Sequence, residues 1–443
     1  MRIGIPLVGG KFWHGGVTYV EALVKSLRGL HGDQQPLVYL IVDRTTAANL
    51  PAHLYFAAMI DGVIAIGDVP AMSDDSGVPA TRVPRHRELV DYVDFIFPVN
   101  TDIMPGFCHA SWIPDFQHRH LRQLFSAEDF DRRESAIRDV LEFAQLIVVT
   151  SDAVKKDLMN LYDDSGERVR VLPFHVGIDE AWLEADPEAT RSAYGLPDNF
   201  IICCNQFWQH KNHEVLFRAL ARTRNRINLV CTGATEDYRN RDWFARLTAL
   251  IEELGIQSRV FLLGFIPRFD QIQLMRYAIA VVQPSLFEGW SSILEEARAL
   301  GKPVLAPNLA VHEERAVPGA RYFSPHDADE LVMLLDEAYV CHVPGPDRGA
   351  EQIAQREVAI GQELAGRKIM MMAEEAISGF NATSPGNYSK SATVERILSE
   401  RIHSLISQVT EKEEVIQQLQ AKSPLQYFRK AQQYWLKKRR QAK

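Results

Sequence analysis

Short apolar runs that end in a turn and hand over to apolar residues spaced three to four apart recur along most of this chain. Arg2–Leu7 precedes a stretch with Val17, Val20, Leu23, Val24 and Leu27 at helical spacing. Leu37–Val42, Gly62–Ile66, Phe95–Val99, Leu146–Thr150 and Val169–Leu172 continue the series, and Asn199–Cys204, Asn228–Gly233, Arg259–Pro267 and Ile279–Gln283 restart it. Runs that are apolar throughout, rather than alternating, are strands covered on both faces, and strands separated by helices form parallel sheets. The chain is therefore expected to be α/β. At 443 residues it exceeds one ordinary core, so two domains are expected, residues 1–185 and 186–380, joined by the polar, proline-containing stretch 180–195. Asp68–Arg85, rich in Pro, Ser, Gly and Asp, reads as a surface loop.

Composition removes several function classes. A net charge of −8, from 49 basic and 57 acidic residues, argues against general nucleic-acid binding. Five widely spread cysteines, mostly inside apolar runs, fit reduced thilos of a cytoplasmic protein better than a disulfide framework or a zinc site. The chain starts directly on a strand without the apolar core of a signal peptide, and no run reaches the roughly 20 apolar residues that span a bilayer. Any membrane contact is expected to be peripheral.

The chemistry concentrates at carboxyl ends of the expected strands. Ile279–Gln283 leads through Pro284 into Ser285-Leu-Phe-Glu288-Gly289-Trp290-Ser-Ser292-Ile-Leu-Glu295-Glu296, where helical spacing resumes. Ser292-x-x-Glu295 has the form of a capping box, which makes Ser292 the expected N-cap and Glu295 a capping carboxylate. A helix N-terminus at the carboxyl end of a parallel strand suits an anionic ligand. Phosphate needs no acids to hold it, so Glu288 and Glu296 suit hydroxyls, as of a sugar and a ribose. Lys211, at the turn after Asn199–Cys204 with Asn212 able to cap the next helix, suits a diphosphate. Gly15 and Gly16 close a glycine-rich loop after the first strand, which matches neither a P-loop nor a dinucleotide fingerprint. Ser111–His120 is the densest polar cluster of the first half. There His118 is the favoured candidate, with Asp115 as its orienting partner or an acceptor contact, and His120 as a rival.

Glu288-x7-Glu296, with Phe287, Gly289 and Gly301-Lys-Pro-Val304, resembles the signature of retaining, nucleotide-sugar-dependent glycosyltransferases of family 4. The resemblance implies the GT-B fold, two Rossmann-like parallel-sheet domains facing a cleft. It implies that Glu288 faces the donor sugar and Glu296 the ribose, and that the backbone at Gly289 and Trp290 helps Lys211 hold the diphosphate. Gly264-Phe265-Ile-Pro267 is similar to the segment that reads the base, and the Gly15-Gly16 loop to one lining the cleft. His118 and Asp115 match positions that approach the donor sugar or acceptor. Family members carry an arginine where this chain has Gln206, so phosphate binding would rest on Lys211, backbone N–H groups and a further basic residue. No Asp-x-Asp metal motif stands at a suitable place, so transfer without metal or other cofactor is expected, to a glycan or lipid-linked acceptor, with envelope polysaccharide synthesis as the setting.

Beyond residue 380 the composition changes. Ser384–Ser391 is a linker in a helical extension, 381–443, and imperfect heptads in 394–420 suggest homo-oligomerisation or an amphipathic helix. Residues 424–443 interleave seven basic side chains with Tyr427, Phe428, Tyr434 and Trp435 and contain no acid, which suits an anionic membrane surface. A non-catalytic scaffold acting through these helices is the alternative reading.

Overall fold

The computed structural model describes residues 1–10, 13–69, 77–100, 107–164 and 166–383. By their internal contacts they form two compact units. The first comprises Met1–Phe116, Ala127–Val176 and residues 358–383, and the second Gln117–Ser126 and Gly177–Glu357. The single cut expected near residue 185 therefore differs from the observed division, which assigns a short segment of the first half to the second unit and divides the last helix, Arg348–Thr383, at Val358. The expected linker, heptads and basic stretch lie outside the described residues.

The first unit holds strands β1 (Arg2–Pro6), β2 (Leu37–Val42), β3 (Gly62–Ile66), β4 (Ala80–Val83), β5 (Phe95–Val99), β6 (His109–Trp112), β7 (Ile147–Val149) and β8 (Val169–Val171). They form one sheet in the order β4-β3-β2-β1-β5-β6-β7-β8, with every pair parallel. All residues of β3 and β5 are buried, as continuous apolar runs require. Part of the expected loop Asp68–Arg85 is the strand β4. It lies at the sheet edge and buries only Val83, so it carries no apolar run to reveal it.

Helix His14–Arg28 begins before the glycine pair, so Gly15 and Gly16 occupy its first turn rather than the loop. A Cβ on Gly16 would stand 2.7 Å from the Cα and N of Gly9. The small residue is thus required where the helix start meets the exit from β1.

The second unit holds β9 (Phe200–Cys204), β10 (Asn228–Thr232), β11 (Val260–Gly264), β12 (Val281–Val282), β13 (Val304–Pro307) and β14 (Arg321–Phe323). They form a parallel sheet in the order β11-β10-β9-β12-β13-β14. One face packs Ile201, Cys203, Leu229 and Val282 against Phe217 of helix His213–Arg222, Leu247 of helix Trp243–Glu253 and Leu335 of helix Ala328–Cys341. From β9 the chain builds outward to β11, then returns to lay β12 on the other side of β9. Adjacent loops diverge at such a switch point and leave a crevice at the carboxyl ends of the strands.

Candidate functional site

The loops after β9 and β12 meet at this switch point. Leu286 N–H donates to the His210 carbonyl at 2.8 Å. Asn212 adopts φ +55° at the start of helix His213–Arg222, but its side chain does not cap that helix. Its amide donates instead to the carbonyls of Pro284 (3.1 Å) and Pro325 (2.8 Å), tying the two loops together.

A chain of polar side chains crosses the same junction. Asn205 Nδ2 donates to Gln283 Oε1 at 2.8 Å, and Gln283 Nε2 donates to Glu288 Oε1 at 2.7 Å and Ser285 Oγ at 3.0 Å. Lys211 Nζ donates to the same Glu288 oxygen at 2.6 Å, with the two side chains 17% and 10% exposed. Burial by itself would raise the Glu288 pKa. The Lys211 charge, with hydrogen bonds from Lys211 and Ser285, outweighs it and holds the carboxyl below its ordinary value. Lys211 and Glu288, singled out separately in sequence, are thus one ion pair.

Glu296 is 2% exposed and meets a cation the sequence reading did not single out. Arg268 Nη1 lies 3.1 Å from Glu296 Oε1, and Gln271 Nε2 donates to Oε2 at 3.3 Å. Arg268 opens the helix that follows the Phe265–Pro267 turn. A basic residue at that turn was the available signal. Phe265 itself is 60% exposed beyond the end of β11. Gly233, at the end of β10, has φ +128°, and a Cβ there would come within 2.2 Å of the Asn205 carbonyl, so close backbone approach dictates glycine.

The start of helix Ser292–Ala299 differs from the expected capping box. Ser291, not Ser292, is the N-cap. It holds φ +84°, ψ +94° and makes no side-chain cap bond. This is a costly conformation for a residue with a Cβ. Its Oγ is buried without a hydrogen-bond partner. Glu295 does not cap either: it is fully buried, pairs with Arg315, and lies 3.5 Å from Arg298 Nη1. The Arg315 guanidinium sits 4.1 Å from the centroid of the Trp290 ring, which is 8% exposed. Burial pushes the Arg315 pKa down to about 10, opposed by the charge of Glu295. Gly289 is buried beside Trp290.

His312, also absent from the sequence reading, stands just past β13 and is 0% exposed. Burial lowers its pKa to about 4, against the opposing charge of Glu288.

Gln117–Ser126 brings part of the first-half cluster into the second unit. Arg239 Nη1 donates to Gln117 Oε1 at 2.9 Å and Nη2 to His210 Nδ1 at 3.1 Å, while the guanidinium lies 5.0 Å from the Trp208 ring and 5.2 Å from that of Phe125. His118 is buried edge-on to Phe125 at 6.3 Å. His120, the rival, is exposed and stacks on Phe287 at 4.9 Å, beside Glu288. Asp115 is half-buried in the first unit, and Gln206 is half-buried on the turn after β9.

Residues 187–343 match the family model of glycosyl transferases group 1. The D-inositol 3-phosphate glycosyltransferase of Corynebacterium glutamicum is 27% identical over 232 residues, 47% of this chain and 54% of that protein. The serotype-specific mannosyltransferase WbdA of Escherichia coli is 26% identical over 216 residues, 46% of this chain and 26% of that protein. The chain thus spans about half the length, or less, of the curated relatives it matches. The crystal structure of Anabaena HepE in complex with UDP and glucose superposes with a TM-score of 0.56 at 18% identity, covering 86% of this chain and 100% of that one. The fold is therefore the GT-B arrangement of two parallel-sheet domains. Residues 187–343, which carry Lys211, Phe265, Glu288, Glu296 and His312, are the stretch that resembles the glycosyl transferases group 1.

Proposed function

We propose that the protein transfers a hexose-type sugar from a nucleotide-sugar donor to a glycan or lipid-linked acceptor, retaining anomeric configuration and using no metal. The observation that carries the reading is the Lys211–Glu288 ion pair at the switch point of the second sheet, inside the stretch that matches glycosyl transferases group 1. In this reading Lys211, the backbone at Gly289 and Trp290, and the N-terminus of helix Ser292–Ala299 receive the donor's diphosphate. Charge grows on that leaving group as the glycosidic bond breaks, and fixed donors aimed at it lower the barrier. Glu288 accepts from sugar hydroxyls and Glu296 from the ribose. Arg268 offers the second cation that Gln206 does not supply. The exposed Phe265 suits contact with the base. His118, Asp115 and the rival His120 are the side chains proposed to approach the sugar or the acceptor. The reading includes a role in envelope polysaccharide synthesis at the inner face of the cytoplasmic membrane, and the likeness to WbdA, a serotype-specific mannosyltransferase, supports the sugar transfer itself.

A thermal-shift panel of UDP-, GDP-, dTDP- and ADP-sugars tests the donor site. At a ligand concentration of about 100 times Kd, binding to the native state adds about 2.7 kcal/mol of stability. One nucleotide series is expected to raise the melting temperature, and the rise should disappear in Lys211→Ala and Glu296→Ala. No rise with any donor, or rises untouched by both substitutions, would reject the site and favour the scaffold reading.

A further inference from the structure

Lys211, Glu288 and His312 come from the carboxyl ends of β9, β12 and β13, three neighbouring strands of the second sheet. The histidine is held in one tautomer. Its Nδ1 lies 2.9 Å from the Pro307 carbonyl, which can only accept, so Nδ1 carries the proton. Nε2 of the neutral ring is then a lone-pair acceptor. That atom is buried and has no hydrogen-bond partner, on a side chain that is 0% exposed. Glu288, Lys211 and Arg315 all act on the ring electrostatically. Phosphate and carbonyl oxygens bring no proton and cannot satisfy such an acceptor, whereas a hydroxyl can.

We propose that His312 is a specificity-determining residue of the donor site, its Nε2 accepting a hydrogen bond from a hydroxyl of the transferred sugar adjacent to the one held by Glu288. The inference rests on the glycosyltransferase reading. Two neighbouring acceptors, a carboxylate oxygen and an imidazole nitrogen, demand two hydroxyl donors, which selects for a vicinal diol and against a deoxy sugar at either position. A buried acceptor left unpaired by the wrong substrate is the strongest form of such discrimination.

The test is binding calorimetry on the full chain with three probes: the nucleoside diphosphate alone, the parent nucleotide sugar, and its single-deoxy analogues. These are run on the wild type, His312→Phe and His312→Asn. Both variants should bind the nucleoside diphosphate as the wild type does and the parent donor about tenfold more weakly. One deoxy analogue should bind the wild type and the variants equally. In the wild type alone, so that misfolding of a variant does not decide the matter, two neighbouring deoxy positions should each weaken binding. Unchanged binding of the parent donor by the variants, equal weakening of the bare nucleoside diphosphate, or sensitivity at a single hydroxyl would each overturn the inference. Failure of the wild type itself to bind any nucleotide sugar would overturn the glycosyltransferase reading, and the inference with it.

Discussion

His312 is kept neutral by burial among charges, and that has a price in acid. Its pKa falls from the ordinary 6.5 to about 4, so between these values the unfolded chain binds a proton that the folded protein does not. Stability from this group is therefore fully present above about pH 6.5 and is lost as pH falls towards 4, a change of about 3 kcal/mol. Glu288, Lys211 and Arg315 are the charged groups that act on it. Urea unfolding of the wild type and His312→Phe at pH 7 and pH 4 should show the wild type's relative stability shrinking by that amount. An equal difference at both pH values would mean that the ring is not buried as described.

At the scale of elements, most apolar buried strands were legible, and with them the turns that carry Lys211 and Glu288, whereas β6 and β13, also fully buried, were not, β6 because His109 and Ser111 interrupt its apolar run. Strands sandwiched between helices must be apolar throughout, and that pattern survives in sequence without any knowledge of partners. β4 and β14 were not legible, because an edge strand of three or four residues with one buried side chain looks like a loop. Long-range pairings left no local trace either: the partners of Glu295 and Glu296, Arg315 and Arg268, lie 20 and 28 residues away in opposite directions. The capping box fails to form for a related reason. Ser292-x-x-Glu295 fits the pattern, but burial of Glu295 beside Arg315 removes its carboxylate from the helix end.

Arg276 illustrates a pairing that fixes elements. From helix Arg268–Tyr277 it donates to the carbonyls of Trp182, Leu183 and Ala185 and to Glu351, with 0% of its surface exposed. It thereby clamps helix Glu180–Glu184 and the start of the last helix to the second unit. Arg276→Leu would take from Glu351 its one buried partner and leave it only the exposed Arg348 at 3.3 Å, at a cost of about 3–5 kcal/mol in chemical denaturation. A loss under 1 kcal/mol would show that water reaches this cluster.

At the scale of the whole molecule, charge is unevenly distributed. Residues 424–443 contribute seven basic side chains and no acid to a chain of net charge −8, so the remainder carries −15. Such a body is repelled by an anionic bilayer, and the basic stretch is the only segment of comparable opposite charge density near either end of the sequence. Among the described residues no helix is long and apolar enough to cross a membrane. Cosedimentation with vesicles containing phosphatidylglycerol should be salt-sensitive and should vanish when residues 424–443 are deleted. Binding that survives the deletion would place the attraction elsewhere. The Lys211–Glu288 pair sets an opposite expectation for the proposed donor. An incoming anion exchanges one partner of the lysine for another and does not neutralise a bare charge. Donor affinity should therefore vary far less with ionic strength than a cationic anion-binding site would suggest.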